Sequence, residues 1–93
     1  METHQIHDRI RSVLRALDVL RVDAYDLADG DDLYDAGLRS LGAVRLLVAL
    51  EGEFGVEFPE SALHGGAFTT IGRIGETLGA VAAGGGARAG GRG

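Results

Sequence analysis

The stretch "DAGLRSLGAV", residues 35–44, decides the fold because its character changes in the middle. Gly37 is a turn residue, whereas from Leu41 onward the apolar residues recur at helical spacing. Ser40 stands at the change. A serine there can accept a first-turn backbone N–H, so the sequence predicts a helix starting at Ser40. It should run to about Phe54 and stop at Gly55, which can take the left-handed conformation that ends helices.

On the N-terminal side, Ile6, Ile10, Val13, Leu14 and Leu17 fall on one face of a first helix from about residue 4 to 19. Between the two helices, Leu20 to Leu38 is a long loop that, with Asp18 just before it, holds seven of the eight aspartates. Loops of this length in a compact domain are often functional. Downstream, Pro59 opens a short third helix toward Leu63 and "HGGAF" breaks the chain again. Thr69 or Thr70 then caps a fourth helix bearing Ile71, Ile74, Leu78 and Val81. The pattern shows no strand pair and no internal repeat, so the expectation is an all-α, four-helix bundle with one long first connection. Gly72, Gly75 and Gly79 in the fourth helix admit two readings, a wall that yields to a guest or close packing on a neighbouring helix, and the second is preferred.

Ninety-three residues, 45% of them hydrophobic, suffice for one domain with one modest core. Residues 83–93, "AGGGARAGGRG", have a composition that cannot offset ordering entropy by burial, and are expected to form a flexible tail. The formal charge is −5, and −7 without the tail arginines Arg88 and Arg92, which argues against a nucleic-acid partner and for a basic one. No run is long enough to span a bilayer and residues 1–20 lack the apolar core of a signal peptide, so a soluble chain is expected. The absence of cysteine excludes a disulfide framework and fits a reducing cytoplasm. Any thiol chemistry would need a cofactor.

On a wheel of about 100° per residue, Ala43, Leu46, Leu47, Leu50 and Phe54 of the second helix share one core-facing arc. Leu41, Val44 and Val48 share another, beside Ser40. This second patch reads either as deeper burial or, preferably, as a docking surface for a partner. The aspartate-rich loop does not fit a calcium-binding EF-hand. With Gly30 in the sixth position, Tyr25 and Leu27 fall where oxygen ligands are required.

Ser40 has three possible chemistries. A nucleophile needs a base, yet the only histidines are His4, His7 and His64, and G-x-x-S-x-G is not the hydrolase elbow. A plain cap accounts for neither the loop before it nor the apolar patch after it. An attachment point fits better, because a phosphate ester at a helix N-terminus meets unpaired N–H groups and the positive end of the dipole.

The stretch "DLYDAGLRSLGAVRLLVALEGEFGVEFP" resembles the core of acyl carrier proteins and the related peptidyl carrier domains, and "FTTI" matches the opening of their last helix. The resemblance spans roughly residues 6–81. It implies a carrier domain over residues 1–82, followed by the 83–93 tail, with 4′-phosphopantetheine esterified to Ser40. Acyl or aminoacyl thioesters would ride on that arm through a fatty acid, polyketide or peptide-like pathway. The chain itself would be no enzyme. Its implied partners are a phosphopantetheinyl transferase, a loading ligase and downstream synthases or transferases. Gly37, Leu38 and Leu41 would shape the turn and flank the arm, and Asp35, Arg39, Leu41, Val44, Arg45, Val48 and Glu51 would meet partners. A free-standing, monomeric cytoplasmic protein is expected. The alternative is a helical protein–protein interaction module without a prosthetic group.

The sequence departs from that family at Arg39, where an aspartate usually precedes the modified serine. Gly42 and Arg45 likewise stand where acidic residues are frequent, leaving Glu51 and Glu53. Arg39 could pair with Asp35 or with the phosphate, or remain solvated. Because complementary charge sets encounter rate and specificity, these changes imply dedicated partners.

Overall fold

The computed structural model describes residues 2–64 and 66–83. Apart from Ala83, the expected tail lies outside the described residues. Three α-helices are present, α1 (Thr3–Leu17), α2 (Ser40–Phe54) and α3 (Ile71–Ala83), with 3₁₀ turns at Ala24–Asp26 and Glu60–Leu63. No strand occurs among the described residues. The architecture is the all-α fold expected, with the short third helix realised as a single 3₁₀ turn. Four residues between Pro59 and the His64 corner leave room for no more than one tight turn.

Each helix ends for a local reason. At the start of α1, the Glu2 backbone N–H donates to the Gln5 side chain at 2.8 Å. Its end is Asp18, at φ 56°, a left-handed conformation that aspartate tolerates better than most residues. α2 stops at Gly55, also left-handed, whose N–H donates to the Glu51 carbonyl at 2.9 Å. Of the two threonines proposed to cap the last helix, Thr70 does so, its Oγ1 accepting the Arg73 N–H at 3.0 Å.

α1 packs against both α2 and α3. Ile10 and Leu14 meet Ala43, Leu46 and Leu50 of α2 and Ile71, Ile74 and Leu78 of α3 in one core. Phe58 and Phe68 close it edge to face, ring centroids 5.6 Å apart. Among the described residues no polar or charged side chain is buried in this core. Gly75 lets α3 approach α1, since a Cβ there would lie 3.0 Å from His7 Nε2. Close packing is therefore what this glycine serves.

Three aspartates of the long loop hold backbone. Asp23 accepts the Tyr25 N–H, Asp31 that of Ala28, and Asp32 those of Tyr34 and Asp35. Such turns suit short carboxylates and leave those oxygens engaged. Asp29 accepts from Arg11 at 2.7 Å and lies 3.2 Å from His7 Nδ1, while its carbonyl receives the Gly72 N–H of α3. It thereby ties α1, loop and α3 together. The Arg11 hydrogen bond, with help from the His7 charge, holds the Asp29 carboxyl below the usual carboxylate range despite slight desolvation. No group of three metal-ligating side chains comes together among the described residues.

Candidate functional site

The segment before Ser40 is a one-turn cap with a fixed exit. Asp32 accepts the first free N–H groups, at Tyr34 and Asp35. Five residues after Asp32, Gly37 takes φ 114°, its N–H donating to the Tyr34 carbonyl while the Leu38 N–H reaches back to Leu33 at 3.0 Å. This paired closure, with Leu33 and Leu38 both buried beneath it, is the glycine-terminated helix ending known as a Schellman motif. Gly37 is needed for a second reason. A Cβ there would lie 2.7 Å from Arg21 Cγ and 2.9 Å from the Arg21 backbone nitrogen.

Out of that turn the chain passes through extended Arg39 into α2. Here the structure corrects the capping expectation. Arg39 occupies the cap position, Ser40 is the first helical residue, and no side-chain hydrogen bond caps the helix. The first helical bond runs from the Ala43 N–H to the Arg39 carbonyl at 2.8 Å, so the N–H groups of Ser40, Leu41 and Gly42 precede the helical ladder. Gly42 is pressed inward, where a Cβ would sit 3.2 Å from Leu38 and 3.3 Å from Val19. Two residues earlier and about 200° around the helix, Ser40 is exposed.

The two arcs of α2 separate as their spacing predicts. Ala43, Leu46 and Leu50 are buried, whereas Leu41 and Val48 are 73% and 60% exposed and Val44 is 43% exposed. Arg39, Arg45 and Asp35 are exposed beside this patch. Arg39 forms no ion pair with Asp35 among the described residues, whose ion pairs involve His7, Arg9, Arg11 and Arg15. Glu51, expected as a partner contact, also has an internal task. It is half-buried, and its Oε2 accepts the Phe58 N–H at 2.9 Å, holding the chain after α2 against the helix. Glu53 is likewise engaged, by Arg9 Nε at 2.9 Å.

Sequence reasoning missed Arg21 and Val22. The Arg21 N–H donates to the Ala36 carbonyl at 2.8 Å, which sets both exposed residues beside the turn that precedes Ser40. Gly37 was the available signal, because a glycine at a tight exit suits a close backbone neighbour, but nothing in the sequence named which neighbour. No helix among the described residues is long and apolar enough to cross a membrane.

The geometry fits a serine-borne prosthetic group. The hydroxyl is exposed and does not cap the helix, it stands beside open N–H groups, and an apolar surface lies next to it. The comparisons with known proteins agree. The family described as "Phosphopantetheine attachment site" matches residues 8–78. The aminoacyl carrier protein of Agrobacterium fabrum is 36% identical over 69 residues, covering 74% of this chain and 83% of that protein. Two crystal structures of an engineered Bradyrhizobium japonicum glycine:[carrier protein] ligase, complexed with a carrier protein from Agrobacterium tumefaciens, each contain a similar chain. The ATP complex gives a TM-score of 0.76 at 33% identity, covering 82% of this chain and 99% of that one. The AMP complex gives 0.73 at 34% identity, covering 78% and 97%. Turn, exposed serine, helix and relatives lead to one conclusion: the chain belongs to the phosphopantetheine-bearing family of acyl and peptidyl carrier proteins, which hold their cargo on a covalently attached 4′-phosphopantetheine.

Proposed function

We propose that Ser40 is the serine that receives 4′-phosphopantetheine and that the cargo is an amino acid. The observation that carries the first part is the exposed, non-capping hydroxyl at the first position of α2. The open N–H groups of the first turn and the positive helix end favour a phosphate ester there. When bound, the arm supplies the thiol that a cysteine-free chain lacks and so holds cargo as a thioester.

The chain's own residues hold and present. The Gly37 turn fixes where Ser40 emerges, Gly42 packs inward, and Leu41, Val44 and Val48 offer apolar contact. Bond making belongs to the partners: a phosphopantetheinyl transferase that modifies the serine, an ATP-dependent ligase that loads the thiol, and an acceptor enzyme. The need for ATP in that loading step supports a cytoplasmic carrier. Amino acid cargo is supported by likeness to a protein named as an aminoacyl carrier and to a chain in complexes of a glycine ligase.

The test is to load the modified protein with single amino acids, using ATP and a glycine:carrier-protein ligase, and to read intact mass. One amino acid should add to the arm and be released by hydroxylamine, which cleaves thioesters. Modified protein that gains no amino acid there but gains a fatty acid from ATP and a fatty-acid:carrier-protein ligase would overturn the cargo reading.

A further inference from the structure

Resting on that reading of Ser40, we infer that the surface around it docks onto partner enzymes whose contact face is apolar and edged with carboxylates. Arg39 and Arg45, with Arg21 at the margin, are the specificity-determining contacts. In an acidic chain, with 14 acidic residues against nine basic ones, arginines do not lack internal partners. The three arginines of α1 take them: Arg9 pairs with Glu53, Arg11 with Asp29 and Arg15 with Asp23. Arg21, Arg39, Arg45 and Arg73 are exposed and stand outside every ion pair among the described residues, and all but Arg73 lie around the start of α2.

The acids of α2 are disposed in the opposite way. Glu51 holds the Phe58 N–H and Glu53 pairs with Arg9, both toward the C-terminal end of the helix. The charges beside Ser40 at the N-terminal end are therefore those of Arg39 and Arg45, although the molecule as a whole is negative. Asp35 is the acid left at the edge, on the loop side of Ser40.

Placement makes this charge useful. On the helix wheel Arg45 lies about 40° from Leu41, while Val48 and Val44 lie on the far side of Leu41, toward Ser40. One flank of the apolar stripe is thus Arg45, and its N-terminal end is Arg39. Arg21 and Val22 extend the same combination of cation and aliphatic side chain beside the Ala36–Gly37 turn. A partner surface with basic residues would be repelled at these points, and one with carboxylates would be drawn in and set in register.

The experiment places p-benzoylphenylalanine at Val48 in the full chain, irradiates the purified protein in an extract of its own cells at set salt concentration, and maps photo-cross-linked peptides by mass spectrometry. The cross-linked partner peptide should border Asp or Glu residues. Arg39→Glu and Arg45→Glu should each cut the cross-linking yield by about tenfold at low salt. Arg73→Glu, the same charge change on α3, should alter it less than about twofold, and about 0.5 M salt should narrow the gap between variants. Changing the mapped partner carboxylate to lysine should restore the yield of Arg39→Glu. A yield indifferent to the reversals, a contact face rich in lysine or arginine, or no protein cross-link would each overturn the inference. So would cross-linking replaced by arginine-dependent binding to anionic lipid vesicles. The mass of the same preparations reports separately whether Ser40 carries the arm, so a failure of that reading is told apart from a failure of this one.

Discussion

α1 and the N-terminal half of α2 both carry arginines and apolar residues, and they use them in opposite directions. On α1 the apolar stripe faces the core and every arginine reaches an acid of the loop or of α2. Around the start of α2 the arginines stand outside the ion pairs, and three aliphatic side chains face outward on the arc beside the buried one. The difference teaches that the face of α2 that supports the fold and the face proposed to meet partners are separate sides of the same short helix. They can therefore be changed separately.

The sharpest way to break this comparison is within α2. Leu46→Ala should lower unfolding free energy by about 2–5 kcal/mol, since the side chain is fully buried. Val48→Ala, two residues on, should change it by no more than about 0.5 kcal/mol. Equal losses in denaturant titrations would mean that the exposed stripe also supports the fold. Next in size is Gly37→Ala, where a positive φ and the approach of Arg21 both resist a Cβ. A loss of about 1–3 kcal/mol is expected by the same measurement, and a neutral result would remove the case for a fixed turn before Ser40.

The smallest effect sharpens the α1 side. Because the Asp29 carboxyl is held below its unfolded value of about 3.9, its contribution is present above that pH and is lost as pH falls through the lowered value. Its side chain is 56% exposed, which limits the contribution to about 0.2–1 kcal/mol. The stability gap between the wild type and Asp29→Asn should therefore close between about pH 5 and pH 2. A gap that persists or widens in acid would contradict the assignment.

What the sequence made legible was periodic or chemical in kind. The spacing of Ala43, Leu46 and Leu50 against Leu41, Val44 and Val48 separated the two arcs of α2 without any knowledge of neighbours. Gly55 and the Thr69–Thr70 pair announced helix boundaries through local chemistry alone, and the structure chose Thr70. What stayed hidden depended on partners distant along the chain. Glu51 reads as a solvent-facing helix residue until the chain after Gly55 folds back and offers it the Phe58 N–H. Arg21 reads as one more loop charge until its backbone meets Ala36. The misplacement of the cap has the same origin. Serine at a helix start predicts capping, yet the Gly37 turn delivers the chain one residue early, and Arg39 takes the cap position.

The account rests on Ser40 as the point of attachment, and intact-mass and peptide-mapping measurements after co-expression with a phosphopantetheinyl transferase test it most directly. One arm should appear, on the peptide containing Ser40, and Ser40→Ala should fold with unchanged helix content and gain nothing. An arm on another residue, an arm retained in Ser40→Ala, or an unmodified wild type would contradict it.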